Sequence, residues 1–198
     1  MRSATYVGAT LALALVTGCA PAPTERSGPI GSQSVDVDTP RLRALKERAG
    51  VAPCVPQEAP AATAGPLPDT ELPCLGGGSA VNLARLEGPA VVVAWAPWCP
   101  PCRDELPLLA RFDRVHGHQV TMIGVDWSDP QPDAALRELR RAGATYPQLA
   151  DPDNALRLRG IPAMLVVDAE GHTTLHAGGV QSVAELEDLV GHELGEAR

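Results

Sequence analysis

An apolar run that stops at two closely spaced cysteines constrains the fold more than any other part of the sequence. Residues 90–96 are all apolar, which is typical of a buried strand. Cys99 and Cys102 follow directly, and the intervening Pro100 and Pro101 suit the first turn of a helix, where missing N–H donors are tolerated. The pattern therefore predicts a strand that leads into a helix with a dithiol at its N-terminus.

The helix N-terminus indicates which of the two cysteines reacts first. The first N–H groups of a helix are unpaired and carry partial positive charge, so they stabilise a thiolate and lower its pKa. Cys99 is therefore the candidate nucleophile. Cys102 lies on the same side of the helix and can attack the mixed disulfide that Cys99 forms. A structural disulfide or half of a metal site is the alternative reading.

The N-terminus has the pattern of an export signal. Arg2 precedes about 13 apolar residues, which are too few to span a bilayer. The sequence Val16-Thr17-Gly18-Cys19 resembles a bacterial lipobox, whose cysteine is lipidated, and two or more acyl chains anchor a protein stably. We expect residues 1–18 to be a signal peptide and Cys19 to be a lipid anchor on the extracytoplasmic face of the cell membrane. The alternative is a soluble exported protein.

The cysteine count agrees with export into an oxidising compartment. Lipidation of Cys19 leaves four cysteines, of which Cys99 and Cys102 form the reactive pair. Cys54 and Cys74 are then predicted to form a structural disulfide, which closes a loop of about 20 residues and contributes roughly 3 kcal/mol in the chain-entropy description. A second redox pair is the rival interpretation, although neither cysteine lies in a Cys-x-x-Cys sequence.

The rest of the sequence divides into a tether, an extension and one domain. Residues 19–39 are rich in Pro, Gly, Ser and acidic side chains and are expected to be a flexible tether. Residues 40–72 form an N-terminal extension, in which a short helix begins after Thr39 and ends at Gly50 before a Pro/Ala-rich loop. The net charge of −8 gives no basic surface for nucleic acid.

Residues 73–198 show the alternating pattern of an α/β domain. Strand, helix and strand are followed by a hairpin and a helix, which predicts a central mixed sheet covered on both faces and flanked by helices. The expected elements are a short strand at Val81 and Leu83, a strand at 90–96, a helix at 100–116 kinked by Pro107, a strand at 120–126, a helix at 132–142, a short segment at 155–158, a hairpin of 163–167 and 172–177, and a last helix capped by Ser182 and Glu185.

From about Pro73 to the C-terminus, the chain resembles the thioredoxin superfamily, and within it the TlpA/ResA-like extracytoplasmic thiol-disulfide oxidoreductases. Trp95 and Trp98 before the dithiol, Pro107 after it, and the sequence Arg159-Gly160-Ile161-Pro162 before an apolar strand occupy positions where that family has them. The resemblance implies a thioredoxin-like fold. The insert that contains the helix at 132–142 also resembles this family and could influence partner choice.

The resemblance also implies how a substrate is held. It places a cis peptide bond at Pro162, next to the dithiol, where the family binds an extended substrate segment through backbone hydrogen bonds. The implied substrate-binding residues are Trp98, Pro100, Pro101, Ile161 and Pro162. An ordinary strand start is the alternative for the proline. Another aromatic residue, Trp127, is expected to be a half-buried packing residue, or else to lie beside the site.

One departure from thioredoxin itself points to a different acidic residue. Thioredoxin has a buried aspartate six residues before its first cysteine, where this chain has Val93. TlpA/ResA-like proteins instead have a glutamate three residues after the second cysteine, and Glu105 stands there. At that spacing its carboxyl can approach Cys102, and partial burial would raise its pKa so that it could move a proton. A surface acid near the helix N-terminus is the alternative.

The implied activity is disulfide exchange with exported proteins by a monomer that needs no cofactor. A reductant that keeps apocytochrome c thiols reduced, with electrons from a membrane donor, is preferred over an oxidant that inserts disulfides. A peroxidase of the peroxiredoxin type would need a threonine where this chain has Ala96. An inert lipoprotein and a copper chaperone are further alternatives.

The histidines fit the copper chaperone poorly, and no metal site is expected. His172 and His176 on one strand would lie about 13 Å apart and could not share an ion. His116 and His118 flank a glycine in an expected loop, and His192 is expected to face out of the last helix.

Overall fold

A five-stranded mixed sheet organises the described part of the chain, which comprises residues 35–57, 60 and 66–195 of a computed structural model. The strands and helices are β1 (Glu71–Leu72), β2 (Val81–Asn82), β3 (Ala90–Trp95), β4 (Thr121–Trp127), β5 (Gln148–Asp151), β6 (Ala163–Val167), β7 (Thr173–Ala177), α1 (Pro40–Ala49), α2 (Pro100–His116), α3 (Pro132–Ala142) and α4 (Val183–Glu193). The predicted signal peptide, Cys19 and residues 19–34 of the predicted tether lie outside the described residues.

The order of the strands confirms the predicted mixed sheet. The order is β5-β4-β3-β6-β7, with β3, β4 and β5 parallel to one another and with β6 and β7 antiparallel to their neighbours. A separate antiparallel pair joins β1 to β2. Among residues 35–57, 60 and 66–195, no helix is long and apolar enough to cross a membrane. The fold is the thioredoxin-like fold that the sequence predicts.

The central strand β3 is buried on both faces, which explains its unbroken apolar run. Val91, Val93 and Trp95 pack into one hydrophobic cluster, to which all four helices contribute. The alternate residues of β3 pack into a second cluster with β1, β2 and β6. Because both faces are covered, every position of β3 requires an apolar side chain.

The indole of Trp95 is fixed by a polar side chain from the sheet. Its Nε1 donates a hydrogen bond to Gln148 Oε1 at 3.0 Å. Gly124 lies under the same amide, and a Cβ there would come within 2.0 Å of Gln148 Oε1. Glycine at this position therefore leaves the space that the buried amide needs.

The N-terminal extension packs on the sheet domain. Thr39 Oγ1 accepts a hydrogen bond from Leu42 N, and α1 ends at Gly50 in the left-handed region, so both predicted ends are confirmed. After α1, Ala52 N donates to Thr145 O at 2.7 Å. The helix itself packs against α3.

Three short elements depart from the sequence prediction, and the first is β1, which was not predicted. Leu83 lies in a 3₁₀ turn at Leu83–Arg85 and not in a strand, so β2 ends at Asn82. The strand β5 was not predicted. It forms because β4 and the segment around Cys74 offer backbone partners on its two sides, and this pairing is long-range.

Candidate active site

The dithiol occupies the first turn of α2, as predicted. Cys99 is the N-cap residue, and its Sγ accepts a hydrogen bond from Cys102 N at 3.3 Å. The two sulfurs are joined in a disulfide with a Cα–Cα distance of 5.3 Å. A thiolate at Cys99 would therefore accept one of the unpaired N–H groups of the helix, which favours the charged form.

The surface around the dithiol presents one sulfur for attack. Cys102 is completely buried and Cys99 is 4% exposed. The residues next to Cys99 are accessible: Trp98 is 51% exposed, and Pro100 and Pro101 are exposed. A partner that reaches this surface meets Cys99 first, which agrees with its predicted role.

Two aromatic residues form a platform beside Cys99. The rings of Trp98 and Trp127 have centroids 6.1 Å apart and are tilted by 46°. Trp127 Nε1 donates to Asn154 Oδ1 at 2.6 Å, which fixes the half-buried ring. Of the two interpretations of Trp127, the structure therefore supports both: it packs, and it lies beside the site.

Pro162 lies at the end of the sheet from which the dithiol loop leaves. The Ile161–Pro162 bond is cis, as predicted. β6 begins at the next residue, and Ala163 pairs with Ala94 near the end of β3. Ile161 and Pro162 are half-buried, and the Pro162 carbonyl accepts a hydrogen bond from Gly178 N at 2.9 Å.

Glu105 is buried between α2 and the loop that follows β7. Its Oε1 accepts a hydrogen bond from Val180 N at 2.9 Å, whereas its buried Oε2 has no hydrogen-bond partner. A Cβ on Gly179 would lie 3.0 Å from both Oε2 and Pro162 Cγ, so the carboxyl is next to the cis proline. Burial raises the pKa of Glu105 to about 7, which confirms the predicted direction.

A pair of buried carboxyls at the end of β4 was missed by the sequence analysis. Asp126 pairs with Trp95 across β3 and β4, and Asp129 follows three residues later. Burial raises the pKa of Asp126 well above its usual range, and the neighbouring Asp129 carboxyl raises it further. Burial also raises the pKa of Asp129. An acid inside the apolar run of β4 was the available signal.

The second predicted disulfide is present. Cys54 and Cys74 are bonded with a Cα–Cα distance of 5.9 Å and a separation of 20 residues. Cys74 forms an isolated bridge with Leu149, so the bond fastens the segment after α1 to the edge of the sheet.

Three of the five histidines lie within contact of carboxylates. Distances of 3.0 to 3.1 Å join His116 to Glu187, His172 to Asp168 and His176 to Glu193. His116 is the last residue of α2 and not part of a loop as expected. Within residues 35–57, 60 and 66–195, one group of three potential ligands occurs, at Asp168, Glu170 and His172 in the hairpin turn.

Fold and site together define a class. A thioredoxin-like sheet carries a dithiol at a helix N-terminus, and a cis proline precedes the strand that pairs with β3. The AhpC/TSA family model matches residues 63–173, which is more than half of the chain. The chain therefore belongs to the AhpC/TSA family of thioredoxin-like proteins.

Within this family, the chain is similar to thiol:disulfide interchange proteins. The chain is 44% identical over 87 residues to the thiol:disulfide interchange protein DsbE of Allochromatium vinosum, covering 41% of this chain and 46% of that protein. It thus spans about half the length of this relative. DsbE of Pseudomonas fluorescens is 33% identical over 123 residues, 59% of this chain and 67% of that protein. The solved structure of Mycobacterium tuberculosis DsbF has 29% identity and a TM-score of 0.58, covering 68% of this chain and 98% of that chain.

Proposed function

We propose that this chain is a thiol-disulfide oxidoreductase whose first reacting atom is Cys99 Sγ. The observation that carries the proposal is the position of this sulfur at the N-terminus of α2, where Cys102 N donates to it and the exposed Trp98 lies beside it. The similarity to thiol:disulfide interchange proteins supports the same reaction class.

The exchange proceeds in two steps. The Cys99 thiolate attacks a disulfide of the partner, a new S–S bond forms, and one partner thiolate leaves. Cys102 Sγ then attacks Cys99 Sγ, so the second partner thiolate leaves and the chain holds the Cys99–Cys102 disulfide. Two electrons pass to the partner. Glu105, with a pKa near neutrality, is suited to take the Cys102 proton in the second step.

The preferred direction is reduction of exported proteins. The resemblance to TlpA/ResA-like proteins supports apocytochrome c thiols as the substrate and a membrane protein as the electron donor. The extended partner segment would lie along Ile161 and Pro162, which are half-buried beside the site. An oxidant of the same fold is the alternative, because dithiols of this class have potentials from about −270 to −120 mV. Equilibration of the Cys99–Cys102 pair with glutathione buffers decides the direction: a potential near −120 mV would make the chain an oxidant.

The location that fits this substrate is the extracytoplasmic face of the cell membrane. The lipobox-like sequence before Cys19 supports lipid anchoring there. Mass spectrometry of the N-terminal peptide tests this: an acylated Cys19 is expected, and an unmodified chain released into the soluble exported fraction would overturn it.

A trapping experiment tests the proposed function. In Cys102→Ser the second step is blocked, so the partner should remain attached to Cys99 as a mixed disulfide that non-reducing gels and mass spectrometry identify. The Cys99→Ser/Cys102→Ser double variant is the matched control and should trap nothing. Equal trapping by both variants would place the reacting sulfur elsewhere, and no trapping by Cys102→Ser of any protein or disulfide peptide would reject Cys99 as the nucleophile.

A further inference from the structure

A buried ammonium group contacts the disulfide that is remote from the active site. Lys46 is only 8% exposed, and its Nζ lies 2.8 Å from Cys74 Sγ and 2.9 Å from Gly77 O. A disulfide sulfur is a neutral and weak acceptor, so it compensates a buried positive charge poorly. A thiolate at Cys74 would be a much better partner, because it carries the opposite charge.

We infer that Cys54–Cys74 is a second redox centre, reducible by an external dithiol, in which Cys54 is the sulfur attacked and Cys74 is the leaving group stabilised by Lys46. The leaving sulfur in disulfide exchange departs faster when its thiolate is more stable. The Lys46 ammonium, in contact with Cys74 Sγ, supplies a full positive charge at this sulfur.

The exposure of the two cysteines agrees with Cys54 as the sulfur attacked and Cys74 as the leaving group. Cys54 is 5% exposed and Cys74 is 1% exposed. Cys54 lies between the exposed residues Pro53 and Val55, and Val55 is 64% exposed. A surface pocket of about 320 Å³ is lined by Lys46, by Pro53 next to Cys54 and by Gly78, although neither cysteine lines it. Because Cys54 is the more exposed of the two and lies between two accessible residues, a small dithiol would reach it before Cys74.

The surroundings also suit the reduced pair. Cys54 Sγ lies 3.3 Å from Gln148 O, and a disulfide sulfur has no hydrogen to donate to that carbonyl. A Cys54 thiol could donate its hydrogen there, while a Cys74 thiolate faces Lys46. The site thus offers an acceptor to one cysteine and a cation to the other, which is the arrangement that the products of reduction need.

The reaction is a two-electron exchange between a dithiol and a disulfide. One thiolate of the dithiol bonds to Cys54 Sγ while the Cys54–Cys74 bond breaks and Cys74 leaves as a thiolate. The second thiol of the reagent then attacks the reagent sulfur that is bonded to Cys54 Sγ. The reagent becomes a disulfide, and Cys54 leaves as a thiolate that takes a proton. One proton is released to solvent because Cys74 stays ionised. Reduction should therefore become more favourable as the pH rises.

The other charged groups near Lys46 do not prevent its ammonium from stabilising a Cys74 thiolate. Burial lowers the pKa of Lys46, whereas the Asp38 carboxylate acts in the opposite direction. Asp38 is itself paired with Arg43, 2.6 Å away on the exposed side of α1, and Glu47 lines the same pocket. A thiolate at Cys74 would add a negative charge directly beside Nζ and keep the ammonium protonated.

The test is the pH dependence of the reduction equilibrium in the full chain. The protein is equilibrated with reduced and oxidised dithiothreitol between pH 6 and pH 8, and the Cys54 and Cys74 peptides are quantified by alkylation and mass spectrometry. If Lys46 lowers the Cys74 pKa from about 8.5 to about 6.5, the equilibrium constant for reduction rises about 25-fold over this range. An ordinary pair would change less than about twofold.

Two variants separate charge from structure. Lys46→Met should flatten the profile to the ordinary change of less than about twofold. The control Arg43→Met removes a positive charge from the same helix and pocket without touching the sulfur, and should keep the steep profile. The reduced fraction of the Cys99–Cys102 pair is measured in the same samples. Failure of the proposed function at that pair can therefore be distinguished from failure of the inference at Cys54–Cys74.

Several outcomes would overturn the inference. A flat profile in the wild-type protein does so without any variant. So does a steep profile that survives in Lys46→Met, or a Cys54–Cys74 pair that becomes reducible only when circular dichroism shows the protein to be unfolded.

Discussion

The two disulfides of this chain are the same bond in opposite surroundings. Cys99–Cys102 spans three residues at the exposed start of a helix, next to a tryptophan that is half in solvent. Cys54–Cys74 spans 20 residues and joins two distant segments against the edge of the sheet, beside a buried lysine. The first pair is placed for fast exchange with proteins. The second is placed for stability, with a built-in cation that can alter its redox behaviour.

The largest expected effect separates the pairs by activity. Cys99→Ser should lower the rate of reduction of a disulfide-bonded fluorescent peptide by on the order of a thousandfold or more, because a hydroxyl cannot replace the thiolate nucleophile. Asp104→Ser, at an exposed position further along the same helix, should retain the rate. Retained exchange in Cys99→Ser would mean that the Cys54–Cys74 pair carries the activity, and the comparison would fail.

The next largest effect separates the pairs by stability. Cys54→Ala/Cys74→Ala should lower the free energy of unfolding by about 3 kcal/mol, since it removes a cross-link that closes a loop of 20 residues. Cys99→Ala/Cys102→Ala opens a much shorter loop and should cost less. Urea denaturation of oxidised proteins measures both. If Cys54→Ala/Cys74→Ala lost less free energy of unfolding than Cys99→Ala/Cys102→Ala, the Cys54–Cys74 bond would not be the main stabilising disulfide.

Next in size is the expected effect of the buried Glu105 carboxyl on the pH dependence of stability. Its folded pKa of about 7 exceeds the ordinary value of 4.5, so the folded state holds the proton more tightly and the group opposes folding above pH 7. That penalty falls as the pH falls through 7 towards 4.5. Glu105→Gln keeps the acceptor for Val180 N and should stabilise the protein at pH 8 by on the order of 1–3 kcal/mol, with little change at pH 4.5.

The exposed position Asp104 supplies the control for this measurement. Asp104→Asn removes a carboxyl from an exposed position on the same helix, so it controls for the loss of one negative charge near the start of α2. Equal stability of wild type and Glu105→Gln at every pH would show that the Glu105 carboxyl is not held in a desolvated site.

The smallest expected effect concerns the aromatic platform. Trp98→Ala should weaken partner binding by roughly three- to tenfold, because an aromatic contact contributes about 0.5–1.5 kcal/mol beyond its buried area. The readout is the KM for a disulfide peptide, with kcat nearly unchanged. Val115→Ala removes an equally exposed side chain, 51%, from the far end of the helix and serves as the control. An unchanged KM in Trp98→Ala would remove the platform from the binding surface.

The active-site side of this comparison could be predicted from the sequence because its signals are local. The start of α2 follows from a cysteine and two prolines in its first turn, and it matches the structure. The cis bond at Pro162 followed from a resemblance carried by four neighbouring residues. Each signal lies within a few residues of the feature that it indicates, and no knowledge of long-range packing is needed to read it.

The remaining features depend on contacts between distant segments. β5 has no alternating pattern of its own and forms through pairing with β4 on one side and the segment around Cys74 on the other. Lys46 and Cys74 lie 28 residues apart, so nothing local indicates their contact. The raised pKa of Asp126 results from the burial of β4 and from the neighbouring Asp129 carboxyl, although an acid in an apolar strand was a visible signal.

The most direct test of the central claim is the alkylation rate of each cysteine in the reduced protein between pH 5 and pH 9. The account predicts that Cys99 reacts with iodoacetamide faster than Cys102, with a midpoint well below the ordinary cysteine pKa of about 8.5. Faster labelling of Cys102, or a Cys99 midpoint near 8.5, would contradict it.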